Sequence, residues 1–250
     1  MESEKIKKIE ENEEMEIAEV PEEHEEKKRE VAVPGDVIAK GANFLPGEGA
    51  RREGSEIIAE RFGLVTYEDR LVKIIPLSGA YMPRRGNVVI GIVKDTTYNG
   101  WLININATTR AFLPITEAKS FVSKQEEPSS IYAIGDMLVL KIKSAKLKGI
   151  DLTMADRGLH RLEGGMTIEI NSNKVPRVIG KLGSMVNMIK TETNCNITVG
   201  QNGIIWIGGE KIEDELLAKE AIMMIAEHSA SGGLTEKVEA FLKKRKSKEK

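Results

Sequence analysis

The chain is poor in the residues that define several functional classes. It holds one cysteine, Cys195, in 250 residues, so no internal disulfide forms and no CxxC pair stands ready for zinc or redox chemistry. Its three histidines, His24, His160 and His228, lie far apart without HxxxH spacing, which predicts no metal centre and no cofactor. No apolar run approaches the ~20 residues that cross a bilayer, and the N-terminus is charged from Glu2 onward, without the apolar core of a signal peptide. A cytoplasmic protein with no membrane partner is the expectation. Aromatic residues make up only 4% of the chain, which limits any stacking surface to a few positions. Among the many acids, no paired set stands beside a base, and no GxxxxGK[ST] phosphate loop is found. The sequence therefore predicts a non-enzyme with no catalytic residues.

What is present is unevenly distributed. The net charge of −2 conceals a net −7 over residues 1–30 and +5 over the remainder. A mildly basic body behind an acidic leader fits a nucleic-acid partner. The leader, 1–30, is dense in Glu and Lys with isolated Ile6, Ile9, Met15, Ile17 and Val20. That composition predicts a disordered extension, with a partner-stabilised helix ending at Pro21 as the alternative.

At ~100–150 residues per domain the chain has room for two or three small domains. Residues 31–80 read as a small all-β domain: Val31-Ala32-Val33 and Val37-Ile38 flank Pro34-Gly35-Asp36, the pattern of a hairpin. Strand-like runs follow at Ile57–Ala59, Phe62–Val65 and Leu71–Leu77. So small a unit has little core of its own and is expected to pack on a neighbour.

From residue 81 to 155 five apolar runs succeed one another: Val88–Val93, Gly100–Ile105, Ala111–Pro114, Gly135–Ile142 and Gly149–Met154. Five short strands, most of them entered at glycines, favour a closed barrel, because closure removes exposed edges. Trp101, Ile103 and Ile105 share one strand face; an inward face makes Trp101 core. Tyr98, in the Tyr98-Asn99-Gly100 turn, is then the exposed aromatic. Residues 156–165 read as a linker.

Residues 160–231 carry the most specific pattern. A strand at Met166–Ile170 precedes Val175-Pro176-Arg177-Val178-Ile179, then the turn Gly180-Lys181-Leu182-Gly183. Met185, Val186 and Ile189 mark a second helix face, and Ile197–Val199 and Ile204–Ile207 read as strands before a long helix through Ile225. Glycines at both ends of the turn admit close backbone approach. The following helix offers free N–H groups and the positive end of its dipole, and Lys181 adds a cation. Cys195, at the polar end of that helix, reads as a packing residue. Residues 232–250 add a short helix with Thr235 as its N-cap, the stripe Val238, Phe241 and Leu242, and a basic tail from Lys243 to Lys246.

Two resemblances attach to these residues. The strand–helix–GxxG–helix–strand–strand–helix order, with VIGKLGSMVNMI at its centre, resembles a KH domain with its extra helix C-terminal, in which the GxxG loop clamps about four nucleotides. GNVVIGIVKDTTYNGWLINI, AFLPITEA, YAIGDMLVLKI and GIDLTM resemble an OB fold of the ribosomal-protein-S-one type. One departure is Pro114, which stands where many such domains carry a histidine. The fold class is thus multidomain α+β: an N-terminal β domain, a five-stranded OB-type barrel and a KH domain.

In that order, over approximately residues 31–230 and including the VPGD opening, the set resembles the RNA-binding cap subunits of the archaeal exosome. The resemblance implies a non-catalytic subunit, three copies of which cap a ring of subunits with the phosphorolytic ribonuclease fold. It also implies guidance of single-stranded RNA 3′ ends into the pore. The RNA contacts would be Arg177, Gly180, Lys181, Leu182, Gly183 and Ser184 of the KH segment, with Arg84, Arg85, Lys94, Tyr98 and Arg110 of the barrel. Two alternatives stand beside it. Bacterial polynucleotide phosphorylase also carries both modules, in the other order and with catalytic domains too large for this chain. A free-standing RNA chaperone or translation-associated binder needs no ring at all.

Overall fold

The computed structural model describes residues 30–118, 128–146, 148–228 and 233–246. The acidic leader up to residue 29 and the residues past Lys246 lie outside this description.

The N-terminal domain consists of two small sheets. The first orders its strands β1 (Val31–Ala32), β6 (Gly63–Glu68), β7 (Leu71–Pro76) and β3 (Leu45–Pro46). The second orders β2 (Val37–Lys40), β5 (Glu56–Ala59) and β4 (Ala50–Glu53). Their shared core is slight: Ala32, Ala50, Ile57, Ala59, Val65, Val72 and Ile74. The expected hairpin around Pro34-Gly35 is not formed. A turn is present, with Asp36 accepting from the Val33 amide at 2.8 Å, but it delivers β1 to one sheet and β2 to the other. β4 reads Ala-Arg-Arg-Glu; with only its first residue buried, it has no apolar alternation to announce it.

The second domain is a closed, mixed barrel. Its strands β8 (Val88–Thr97), β9 (Gly100–Asn104), β10 (Ala111–Pro114), β11 (Met137–Lys146) and β12 (Gly149–Thr153) run in the order β12-β10-β9-β8-β11, and β11 pairs again with β12 to close the ring. The β10–β12 pairing is parallel and the others antiparallel. Ile90, Leu113, Leu138, Leu140 and Leu152 fill the interior. Trp101 joins them, fully buried; its indole N–H lies 3.1 Å from the Tyr132 carbonyl and 3.2 Å from that of Pro128. Those acceptors belong to the short helix α1 (Pro128–Ile131) and the residue after it. The linker expected at 156–165 contains a further strand, β13 (Arg161–Leu162), on the edge of β11.

In the third domain β14 (Met166–Glu169), β16 (Ile204–Gly208) and β15 (Asn196–Val199) form an antiparallel sheet in that order. Helices α2 (Val175–Ile179), α3 (Ser184–Thr193) and α4 (Ile212–Glu227) bury Val178, Ile189, Ala221, Ile222 and Ile225 against Ile205 and Ile207. Cys195 lies past the end of α3, beyond a left-handed Asn194, and burial pushes its thiol above the ordinary range. The last helix, α5 (Leu234–Lys246), begins one residue before Thr235, so that threonine sits inside the first turn and not ahead of it. Its Leu234, Val238 and Leu242 complete the same core. The amphipathic stripe of the C-terminal segment is thus satisfied within the chain.

Candidate nucleic-acid interface

The loop between α2 and α3 is built by conformational demand. α2 ends when Gly180 takes φ +74°, its amide donating to the Pro176 carbonyl at 3.0 Å. A Cβ at Gly180 would lie 2.7 Å from Cβ of Met185 and 2.8 Å from its amide nitrogen, so packing as well as the dihedral requires glycine there. Leu182 is left-handed at φ +54°, and Gly183 follows at φ +80°. Here a Cβ would meet nothing nearer than the Asn187 side-chain amide at 3.6 Å. The two glycines therefore differ: Gly180 is held by its neighbours, whereas Gly183 faces open space.

α3 starts at this turn with no side-chain cap on its amides and no acidic residue in its first turn. Its N-terminus is left free to receive an anion. Lys181 and Ser184 are exposed beside it, as is Arg177 on α2. Leu182, at the tip, is 97% exposed. Thus the structure gathers the six KH residues singled out in the sequence around one helix end.

The barrel candidates are not gathered in the same way. Tyr98, 95% exposed, stands in the β8–β9 turn, and Lys94 is exposed on β8 four residues back along the strand. Arg84 and Arg85 precede the opposite end of that strand, about 30 Å distant at 3.3 Å per residue. Arg85 is exposed. Arg84 is not a free cation, because it ion-pairs with Glu48 of the N-terminal domain. Arg110 is exposed, and its carbonyl receives the Ile150 amide at 2.9 Å. Two further barrel lysines are also engaged, Lys141 with Asp156 and Lys143 with Glu117. The Lys143 hydrogen bond, and then that of Thr153, hold the Glu117 carboxyl below its ordinary value against a smaller effect of burial.

The barrel and the KH domain are locked together by residues that sequence reading treats only as a turn. Asn202, buried, donates from Nδ2 to the Ile90 carbonyl at 2.8 Å and to that of Ile105 at 3.1 Å. Beside it, the Gln201 backbone amide donates to the Val88 carbonyl at 2.8 Å, and the Gln201 side-chain oxygen receives the Val88 amide at 3.0 Å. Ile204 then enters the barrel core. An Asn-Gly pair in a hairpin has turn chemistry enough to explain it, so nothing in the pattern signals a buried amide.

Together these features define a class: a β domain, an OB-type barrel and a KH module in series, with the KH helix end solvent-facing. The KH domain family matches residues 165–213. Over 217 residues the chain is 38% identical to the exosome complex component Rrp4 of Methanothermus fervidus, covering 86% of this chain and 96% of that one. It is 40% identical over 222 residues to the same component from Thermococcus kodakarensis, with 86% of each chain covered. A crystal structure of a protein assigned as an exosome complex RNA-binding protein superposes with a TM-score of 0.61 at 30% identity, covering 69% of this chain and all of that one. The chain belongs to the Rrp4 family of exosome complex components.

Proposed function

We infer that this chain is a non-catalytic, RNA-binding cap subunit of a cytoplasmic archaeal exosome. Three copies would sit on the phosphorolytic ring and guide single-stranded RNA 3′ ends into its pore for 3′-to-5′ degradation and processing. The observation that carries RNA binding is the uncapped α3 N-terminus behind Gly180-Lys181-Leu182-Gly183, with no carboxylate in its first turn. Backbone amides, the helix dipole and Lys181 recognise phosphates without reading bases, so binding is salt-sensitive and weakly sequence-selective.

The N-terminal domain supports the ring partner. Among the described residues, seven of the fifteen exposed large apolar side chains are Val31, Val33, Val37, Leu45, Tyr67, Leu71 and Leu77 of this domain. A domain with so small a core, showing so much apolar surface, has the character of a docking module. The decisive experiment mixes the full chain with archaeal exosome ring subunits and measures the mass of the assembly, with and without labelled RNA. A stable complex carrying three copies and retaining RNA supports the reading. An isolated chain that binds RNA and ignores the ring establishes the RNA chaperone instead.

A further inference from the structure

A cleft of about 950 Å³ opens where all three domains meet, a size typical of ligand sites. One wall is the N-terminal domain, with Arg61, Phe62, Lys73 and Ile75; the other is the KH domain from Ser172 to Gly180, and the connecting segment at Tyr81, Met82 and Arg84 closes it. Resting on the RNA-binding reading above, we propose that this cleft is a second single-stranded-RNA subsite. In it a base lies on Phe62 and Met82 while Arg61 faces the backbone.

Three features select this ligand. The first is charge: the lining holds Arg61, Lys73 and Arg84 against the single carboxylate of Glu48. Arg84 is occupied by Glu48 and Lys73 by Glu68, whereas Arg61 makes no ion pair with a described residue. A guanidinium beside an exposed ring suits a phosphate and its neighbouring base. The second is the apolar floor. Phe62 is 41% exposed, Met82 47% and Ile75 50%, and a π-face open to solvent accepts any base by stacking. The third is continuity. Gly180, the first glycine of the α2–α3 loop, is itself a wall of the cleft, so a strand held at the α3 N-terminus needs no detour to enter.

The polar side of the cleft is already prepared. The Tyr81 hydroxyl donates to Asn87 Oδ1 at 2.9 Å, and that oxygen also receives the Arg84 amide at 3.2 Å. Burial raises the Tyr81 pKa to about 12, further into the range where the phenol is a neutral donor that adds no negative charge to the wall. Gln201 lies in both the cleft and the interdomain lock, which ties the KH wall to the barrel.

The test uses the full chain and a short fluorescent oligouridine at two or more salt concentrations, with Phe62→Ala, Arg61→Gln and, as a reference, Gly183→Asp. Phe62 and Arg61 lie outside the N-terminal core, so circular dichroism of both variants should match the parent. Phe62→Ala should weaken binding roughly tenfold. Arg61→Gln should reduce the slope of log K against log salt by about 0.7. Crosslinking of 4-thiouridine RNA should label the peptides containing Phe62 or Met82. If Gly183→Asp weakens binding while both cleft variants bind like the parent, the cleft is overturned and the KH reading stands. If the parent itself does not bind RNA, both fall. If crosslinks from a reconstituted complex show a ring-subunit segment in the cleft in place of RNA, the site belongs to a protein partner and the proposal is likewise overturned.

Discussion

Asn202 and Ile90, separated by more than a hundred positions in sequence, clasp each other backbone to side chain: the asparagine Nδ2 donates to the Ile90 carbonyl at 2.8 Å and its Oδ1 receives the Ile90 amide at 3.3 Å. Both residues are buried. The contact belongs to neither domain alone, and it fixes where the α2–α3 loop stands relative to the barrel.

Asn202→Ala should therefore cost more than one ordinary hydrogen bond, since each buried polar group left without a partner costs about 1–3 kcal/mol. The expected outcome is a lower urea midpoint, with barrel and KH unfolding separating into two transitions. A single transition at the parental midpoint would show the clasp to be energetically idle.

The two loop glycines should part company on substitution. Gly180→Ala meets Met185 at 2.7 Å and forces a left-handed alanine, so it should lose more than about 1 kcal/mol of stability. Gly183→Asp has room, and aspartate tolerates the left-handed region. It should fold normally while placing a negative charge at the helix end where phosphate would sit, cutting RNA affinity roughly tenfold or more. Equilibrium unfolding and RNA titration of the pair separate the two effects.

Glu117 predicts an acid dependence. Its folded pKa is depressed below the ordinary 4.5 by Lys143 and then Thr153. The stabilisation is therefore complete above the unfolded value and is lost as pH falls through the folded one. Both side chains are partly solvated, so the effect should be at most about 1 kcal/mol. Thermal scans of the parent and Glu117→Gln should differ at neutral pH and converge in acid. A difference that grows in acid would contradict the sign.

Leu242→Ala should destabilise by about 2–4 kcal/mol, because a fully buried leucine leaves a cavity in the KH core. A surface tail would show no change in melting temperature.

Ring docking predicts the opposite profile for the N-terminal domain. Leu45 and Leu71 are exposed partners across β3 and β7, so Leu45→Glu with Leu71→Glu should leave the melting curve unaltered and abolish co-elution with ring subunits. Parental co-elution would move the docking surface elsewhere.

The KH domain and the barrel were legible because their signals are local. Val178, Met185, Val186 and Ile189 repeat at helical spacing on either side of two glycines, and each barrel strand is an apolar run, all but Ala111–Pro114 with a glycine at or near its mouth. Trp101 also declared its burial through Ile103 and Ile105. What escaped depends on distant partners. Val31-Ala32 and Val37-Ile38 look like hairpin arms, yet each finds a better mate far down the chain. Phe62 looks like the start of a strand, and Arg61 carries no signal at all, until the fold sets the KH domain opposite them. Asn202 reads as turn chemistry, and only burial shows it to be a joint. Arg84 is the reverse case, a residue chosen for its charge and found engaged by Glu48.

The division of β1 and β2 between two sheets has a kinetic consequence. Val31 pairs with Leu64, Val37 with Ile58 and Leu45 with Leu71, so β1, β2 and β3 each wait for a distant mate, whereas the β4–β5 and β6–β7 hairpins close across short turns. Such non-local pairing delays folding, whereas α2 and α3 meet across a single loop. The first three strands are thus the part of this domain left waiting, their edges unpaired until the two hairpins that receive them have formed.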